Sequence, residues 1–120
     1  MSKKLTVTGH VNLVDEASGS MLASVNLEEV FTTITGAKHS LYDFLPLNQS
    51  MGAVPLPTNN LAGIRFMAIW PIGGTITFRH DSNSAGVVIN GAEIIQGVFG
   101  LPTVQTDSAT DISVGYLILE

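Results

Sequence analysis

The chain has 120 residues, no cysteine and a formal net charge of −5, with charged residues making up only 12%. That length can bury one sizeable core without staples, and the lack of cysteine excludes disulfides, thiolate metal sites and cysteine nucleophiles. The acidic balance, with Lys3-Lys4 the only adjacent basic pair, excludes a basic patch for nucleic acid. No apolar run approaches the ~20 residues of a membrane span, and the N-terminus alternates where a signal peptide needs an unbroken apolar stretch. A soluble protein made in the cytoplasm, with no membrane partner, is expected.

Residues 5–13 place Leu5, Val7, Val11 and Leu13 in alternation with Thr6, Thr8, His10 and Asn12, the period-2 pattern of a strand with one face inward. Gly9 falls on the inward side and marks a bulge or a close backbone approach. After the polar turn at 15–20, residues 21–34 alternate on one parity through Ala23, Val25 and Leu27 and on the other through Val30, Thr32 and Ile34. A bulge at Glu28-Glu29 reconciles the two parities, and two strand segments are preferred to a short helix over 27–31 because the stretch Val30 to Thr35 is rich in β-formers. Residues 39–47 put Leu41, Asp43 and Leu45 on one face and Tyr42 and Phe44 on the other.

Residues 46–60 hold three of the five prolines, which predicts a long loop without a ladder. Its apolar Met51, Val54 and Leu56 are expected to lie over the domain or on a neighbouring subunit. From 64 to 70, Ile64, Phe66, Ala68 and Trp70 share one parity and Arg65, Met67 and Ile69 the other. Two apolar faces predict a central strand, or one whose outer face meets a partner. Pro71 is expected to end the pairing and Gly73-Gly74 to reverse the chain, with Ile76 and Phe78 inward on the return. Val87-Val88-Ile89, Asn90-Gly91 and Ala92 to Ile95 predict a tight hairpin whose two central residues have positive φ. Short extended pieces follow at 96–105, and residues 112–119 form a buried last strand. No repeat or linker interrupts 1–120. The pattern predicts a single all-β domain, an antiparallel β-sandwich of jelly-roll type with about eight short strands and a Pro-rich loop at 46–60.

No arrangement reads as a catalytic site. His10, His39 and His80 lack metal-ligand spacing. The segment Asp81 to Gly86 begins like a calcium loop but has Ala85 and Ala92 at donor positions. Arg79, His80 and Asp81 are adjacent, so a strand points them to opposite faces. No strained nucleophile turn exists, and Glu28-Glu29 has no fixed partner carboxylate. No enzyme activity, cofactor or metal is expected. Trp70 with Tyr42 could stack a sugar, against the plainer reading of Trp70 as a packing anchor.

On the residues ITFRHDSNSAGVVINGAEII and the closing DISVGYLILE, the chain resembles the small all-β structural proteins of tailed-bacteriophage virions. The resemblance implies a jelly roll or related fold. It also implies a head-decoration (cement) role, or that of a tail or head-fibre accessory subunit, often as a trimer, and it carries no site residues. The few charges and the two-sided apolar strands suit a subunit with large permanent contacts, a homo-oligomer, and the resemblance implies the major capsid protein or another virion protein as its partner. The expected subunit interface is Met51, Val54, Leu56, Arg65, Met67 and Ile69. A small lectin-like module, using residues 81–84 and 107–111 with Trp70 or Tyr42, is the alternative.

Overall fold

The structure is a computed structural model that describes every residue except Met1, Asn59, Asn60, Ala62, Ser82 and Asn83, and only the backbone of 97–99. The described residues form two compact units, Met1–Lys38 and His39–Glu120. They are mostly strand in antiparallel sheets, an all-β protein.

In the first unit β1 (Lys3–Leu5) pairs with β4 (Ile34–Ala37), and β2 (His10–Val14) pairs with β3 (Met21–Asn26). The single strand expected over 5–13 is thus divided. Gly9 causes the break: its φ of +117° is closed to most side chains, and its carbonyl accepts the Leu27 N–H at 2.9 Å. The β2–β3 turn is built on Asp15, whose Oδ1 accepts the N–H groups of Ala17 and Ser18 at 2.8 and 3.0 Å. These bonds, from Ser18 and then Ala17, hold its carboxyl below the ordinary value.

The less favoured helix over 27–31 is the one that forms, as a single turn α1 (Leu27–Val30). Asn26 caps it by accepting the Glu28 N–H, Glu28 and Glu29 lie in the first turn, and the Phe31 N–H closes onto the Leu27 carbonyl at 3.0 Å. Local capping and favourable acidic placement outweigh the β-propensity of the following residues here.

The second unit holds eight strands: β5 (Ser40–Leu47), β6 (Val54–Pro55), β7 (Ile64–Ile72), β8 (Ile76–Arg79), β9 (Val87–Ile89), β10 (Glu93–Phe99), β11 (Thr103–Gln105) and β12 (Ile112–Leu119). Two four-stranded sheets result, ordered β10-β7-β12-β5 and β6-β11-β8-β9. Antiparallel pairing is nested: the first strand of the unit pairs with its last, the second with the seventh, the third with the sixth and the fourth with the fifth. Both sheets send side chains into one core. Leu47, Met67, Ile69, Val114, Tyr116 and Ile118 enter from the first, and Ile76, Phe78, Ile89 and Val104 from the second.

Local turn chemistry is overridden at two places. Asn90-Gly91 does not close a hairpin: β9 pairs with β8 and β10 with β7, in different sheets, and neither residue has positive φ. Ile89 and Ile95 both pack in or against the core, and satisfying both requires a corner between sheets instead of a two-residue reversal. Gly73-Gly74 is likewise a corner from β7 in one sheet to β8 in the other. Gly73 supplies a φ of +91°, and a Cβ at Gly74 would lie 3.1 Å from Ile112 Cγ2.

The Pro-rich stretch also carries a ladder. Pro46 pairs opposite Ser113 on β5, and Val54–Pro55 forms β6 against β11. Both prolines sit on edge strands, where the missing N–H costs no ladder bond. Pro71 does not end the pairing of β7 with β12, which runs on to Ile72, but it lies past the last partner on β10, where Glu93 faces Ile69. Ile112, Val114, Tyr116 and Ile118 all face the core on the central strand β12.

Met67→Ala, which opens a cavity at a fully buried site, is expected to lower unfolding free energy by about 2–5 kcal/mol, as read by denaturant titration. Burial, and secondarily the charge of Asp43, push the Tyr116 hydroxyl above its ordinary value of 10.0. The unfolded chain then loses that proton first, so stability holds below about pH 10 and falls as the pH rises towards the folded value. Tyr116→Phe should flatten that alkaline fall in a pH series of unfolding curves.

Candidate functional site

The residues expected at a subunit interface divide in the structure. Met67 and Ile69 have no exposed surface and Leu56 is 1% exposed. These three belong to the core of the chain itself, because β7 is a central strand and the Leu56 N–H is tied to the Pro102 carbonyl at 3.0 Å. Val54 packs partly buried against the same core, while Met51 and Arg65 are exposed. A fully buried side chain has no surface to offer a partner, so the two-sided apolar pattern of 64–70 reflects a central position within the chain.

Apolar surface lies open elsewhere. In the β2–β3 hairpin, Val11 faces Val25 and Leu13 faces Ala23 across the ladder, with Met21 on the same parity of β3. Val11, Leu13 and Met21 are each about 60% exposed, and Val25 is exposed too. The opposite parity mixes polar and apolar groups: Ser24 Oγ donates to Asn12 Oδ1 at 2.7 Å and Asn26 caps α1, while Leu22 is 62% exposed. The hairpin therefore leaves aliphatic side chains in solvent on both parities, most of them on the Val11–Val25 side. Alternation announced these strands in the sequence, but alternation cannot tell a face that packs inside the chain from one that does not.

A second open surface lies on the side of the β10-β7-β12-β5 sheet away from the core. Register places Trp70, Gly115 and Phe44 in one cross-strand row, and Ala68, Leu117 and Tyr42 in the next. The rings of Tyr42, Phe44 and Trp70 form a near-equilateral group, with centroids 5.8, 6.3 and 6.2 Å apart. Tyr42 is 66% exposed, Phe44 47%, and Trp70 half-buried. A Cβ at Gly115 would lie 2.3 Å from Trp70 Cε2, so the indole lies directly on the β12 backbone in space that glycine leaves open. The structure thus brings together Trp70 and Tyr42, which the sequence singled out, and adds Phe44 and Gly115, which it did not. The period-2 placement of Tyr42 with Phe44 was visible; the partner row was not.

The ionisable groups do not converge in this way. Among the described residues no three His, Asp or Glu side chains are grouped to hold a metal ion. His39 Nδ1 pairs with Glu120 Oε2 at 3.0 Å, Arg79 Nη1 donates to Gln105 Oε1 at 3.3 Å, and the His80 ring lies 5.4 Å from that of Phe78. Of the calcium-like segment, Ser82 and Asn83 lie outside the described residues, and Ser84 closes a turn on the Asp81 carbonyl. The turn at 107–111 is stitched to the end of β5, with Asn48 Nδ2 donating to Asp111 Oδ1 at 2.7 Å. A cleft of about 290 Å³ in the first unit is lined by Thr6, Val7, Thr8, Glu28 and Thr33, a set with one carboxylate and no second ionisable group to act with it. Among the described residues no helix is long and apolar enough to cross a membrane.

No family model, curated protein or solved structure matches the chain.

Trp70 is the only tryptophan, so its emission reports this sheet face alone. Gly115→Ala should lift the indole from the backbone and shift its emission maximum to the red, with a loss of stability of about 1–3 kcal/mol from overpacking. Unchanged emission would show that the indole is not held by the glycine.

Proposed function

We propose that the protein is a non-enzymatic structural subunit of a viral particle, a decoration protein that stabilises the head of a tailed phage through symmetric contacts. The observation that carries this reading is the apolar face of the β2–β3 hairpin, where Val11, Leu13, Met21 and Val25 are all exposed. A two-stranded hairpin with a solvated apolar face is marginal alone, and contiguous apolar surface on a small protein marks a protein contact. The low charge supports the same reading, because 12% charged residues give weak protection against association.

The eight strands of residues 39–120 are read as a jelly-roll β-sandwich. Nested pairing of first with last and second with seventh, followed by division into two sheets that share a core, supports that reading. The hairpin of the first unit supplies the adhesive surface. The partners are further copies of the chain, in a trimer following the resemblance, and the major capsid protein or another virion protein. Met51 and Arg65, the exposed members of the interface read from sequence, remain available to either contact.

Light scattering of the purified protein should report an oligomer, and Val11→Ser with Leu13→Ser should shift it towards the monomer with little change in the unfolding midpoint of the second unit. A wild-type chain that stays monomeric and binds no capsid would overturn the assignment.

A further inference from the structure

The Asn90-Gly91 pair lacks the hairpin that its sequence favours, and that leaves its own chemistry unguarded. Ile89 is the last ladder residue of β9, opposite Ile76, and Glu93 is the first of β10, opposite Ile69. Residues 90–92 between them belong to no ladder, and among the described residues no backbone turn bond spans them. Asn90 and Gly91 are both exposed. A two-residue hairpin would hold the pair in one fixed turn; a corner between sheets does not.

An asparagine carries an electrophile, its carboxamide carbon, one residue from a nucleophile, the next backbone nitrogen, and this makes it thermolabile. Three restraints keep the two apart: a hydrogen bond on the carboxamide, a hydrogen bond on the following N–H, and the bulk of the following side chain. Such restraints hold the other described asparagines. Asn12 Oδ1 accepts from Ser24 Oγ at 2.7 Å, and Leu13 follows it in the β2–β3 ladder. Asn26 Oδ1 accepts the Glu28 N–H at 3.0 Å, and the Leu27 N–H is donated to the Gly9 carbonyl. Asn48 Nδ2 donates to Asp111 Oδ1, and the Gln49 N–H is donated to the Ser108 carbonyl at 2.8 Å.

Asn90 has none of the three. Among the described residues its carboxamide has no hydrogen-bond partner, and the Gly91 N–H makes no turn bond. Gly91 has no side chain to stand in the way, and nothing lies within 4 Å of the point where its Cβ would be.

We propose that Asn90 is a site of spontaneous covalent modification, converted through a succinimide to aspartate and isoaspartate. The Gly91 nitrogen loses its proton to a solvent base and bonds to Asn90 Cγ. The Cγ–Nδ2 bond breaks, and Nδ2 takes up a proton and leaves as ammonia. Water then adds across one of the two imide C–N bonds: breaking the bond to Cγ gives aspartate, and breaking the bond to the backbone carbonyl carbon gives isoaspartate. Water is the only co-reactant, and nothing is oxidised or reduced.

Either product puts a carboxylate where a neutral amide stood, which makes the net charge of −5 one unit more negative. Isoaspartate also lengthens the chain path by one carbon, in a corner that carries no ladder bond. Ile89 and Ile95 therefore keep their places in and against the core, and the modified chain keeps its fold.

The full chain incubated in mildly alkaline heavy-oxygen water and mapped by peptide mass spectrometry should convert Asn90 with uptake of label, at least tenfold faster than Asn12, Asn26 or Asn48. The product should be a mixture of aspartate and isoaspartate, with the unfolding midpoint retained. Gly91→Ala sets its Cβ in open space at a φ outside the left-handed region, so it should keep the unfolding curve while slowing conversion at least tenfold. Asn90 intact after prolonged incubation, or converted no faster than Asn12, overturns the proposal. So does aspartate without isoaspartate, which is direct hydrolysis, or an unchanged rate in Gly91→Ala.

Discussion

The pairing of β7 with β12 is the constraint on which the second unit depends. Seven consecutive residue pairs run from Ile72 opposite Ser113 to Phe66 opposite Leu119, and every other strand of that sheet is attached to one of these two. Because both strands are central, each must present side chains that suit cover or close neighbours on both faces. One face supplies Met67, Ile69, Val114, Tyr116 and Ile118 to the core. The other sets Trp70 on Gly115 and brings Tyr42 and Phe44 beside it across β5. A change of register by one residue would exchange these faces and destroy the core and the aromatic group together.

Nesting has a consequence for how the unit is closed. Its first strand is completed only by its last, so the outermost ladder, from Leu47 opposite Ile112 to Ser40 opposite Leu119, joins the most distant parts of residues 39–120. Loop closure of that length must precede the reward of the contact, which places such a topology among slow-folding ones. The short strands of the other sheet depend on side-chain locks as well as on ladder bonds. Thr106 is one: buried at 4% exposure, it donates from Oγ1 to the Thr75 carbonyl at 2.8 Å and accepts the Ser108 N–H.

The two units leave different chemistry open. The hairpin of the first offers aliphatic side chains in a row, a surface that gains by exclusion of water from a large area and has little directional preference. The sheet face of the second offers three rings, with the Trp70 indole seated on the β12 backbone, a smaller surface with more directional preference.

Sequence alone determined the all-β class, the facing of β5, β8 and β12 and the burial of the last strand, because alternation over four to eight residues reports which side chains share a face. It also predicted a central strand at 64–70 as one of two readings. What it could not assign was the partner of each face. Met67 and Ile69 read as an outer surface until pairing on both sides enclosed them, and Val11 and Leu13 read as inward until β2 proved to pair with β3 alone in its sheet. The Asn90-Gly91 signal favoured a hairpin, but burying Ile89 in one sheet and Ile95 beside the other outweighs a local turn preference worth far less than two buried aliphatic side chains. The aromatic group was half legible, in Tyr42 and Trp70, and completed only when register placed Gly115 beneath the indole. Periodicity states how a strand is divided between two sides; only the tertiary pairing decides what each side meets.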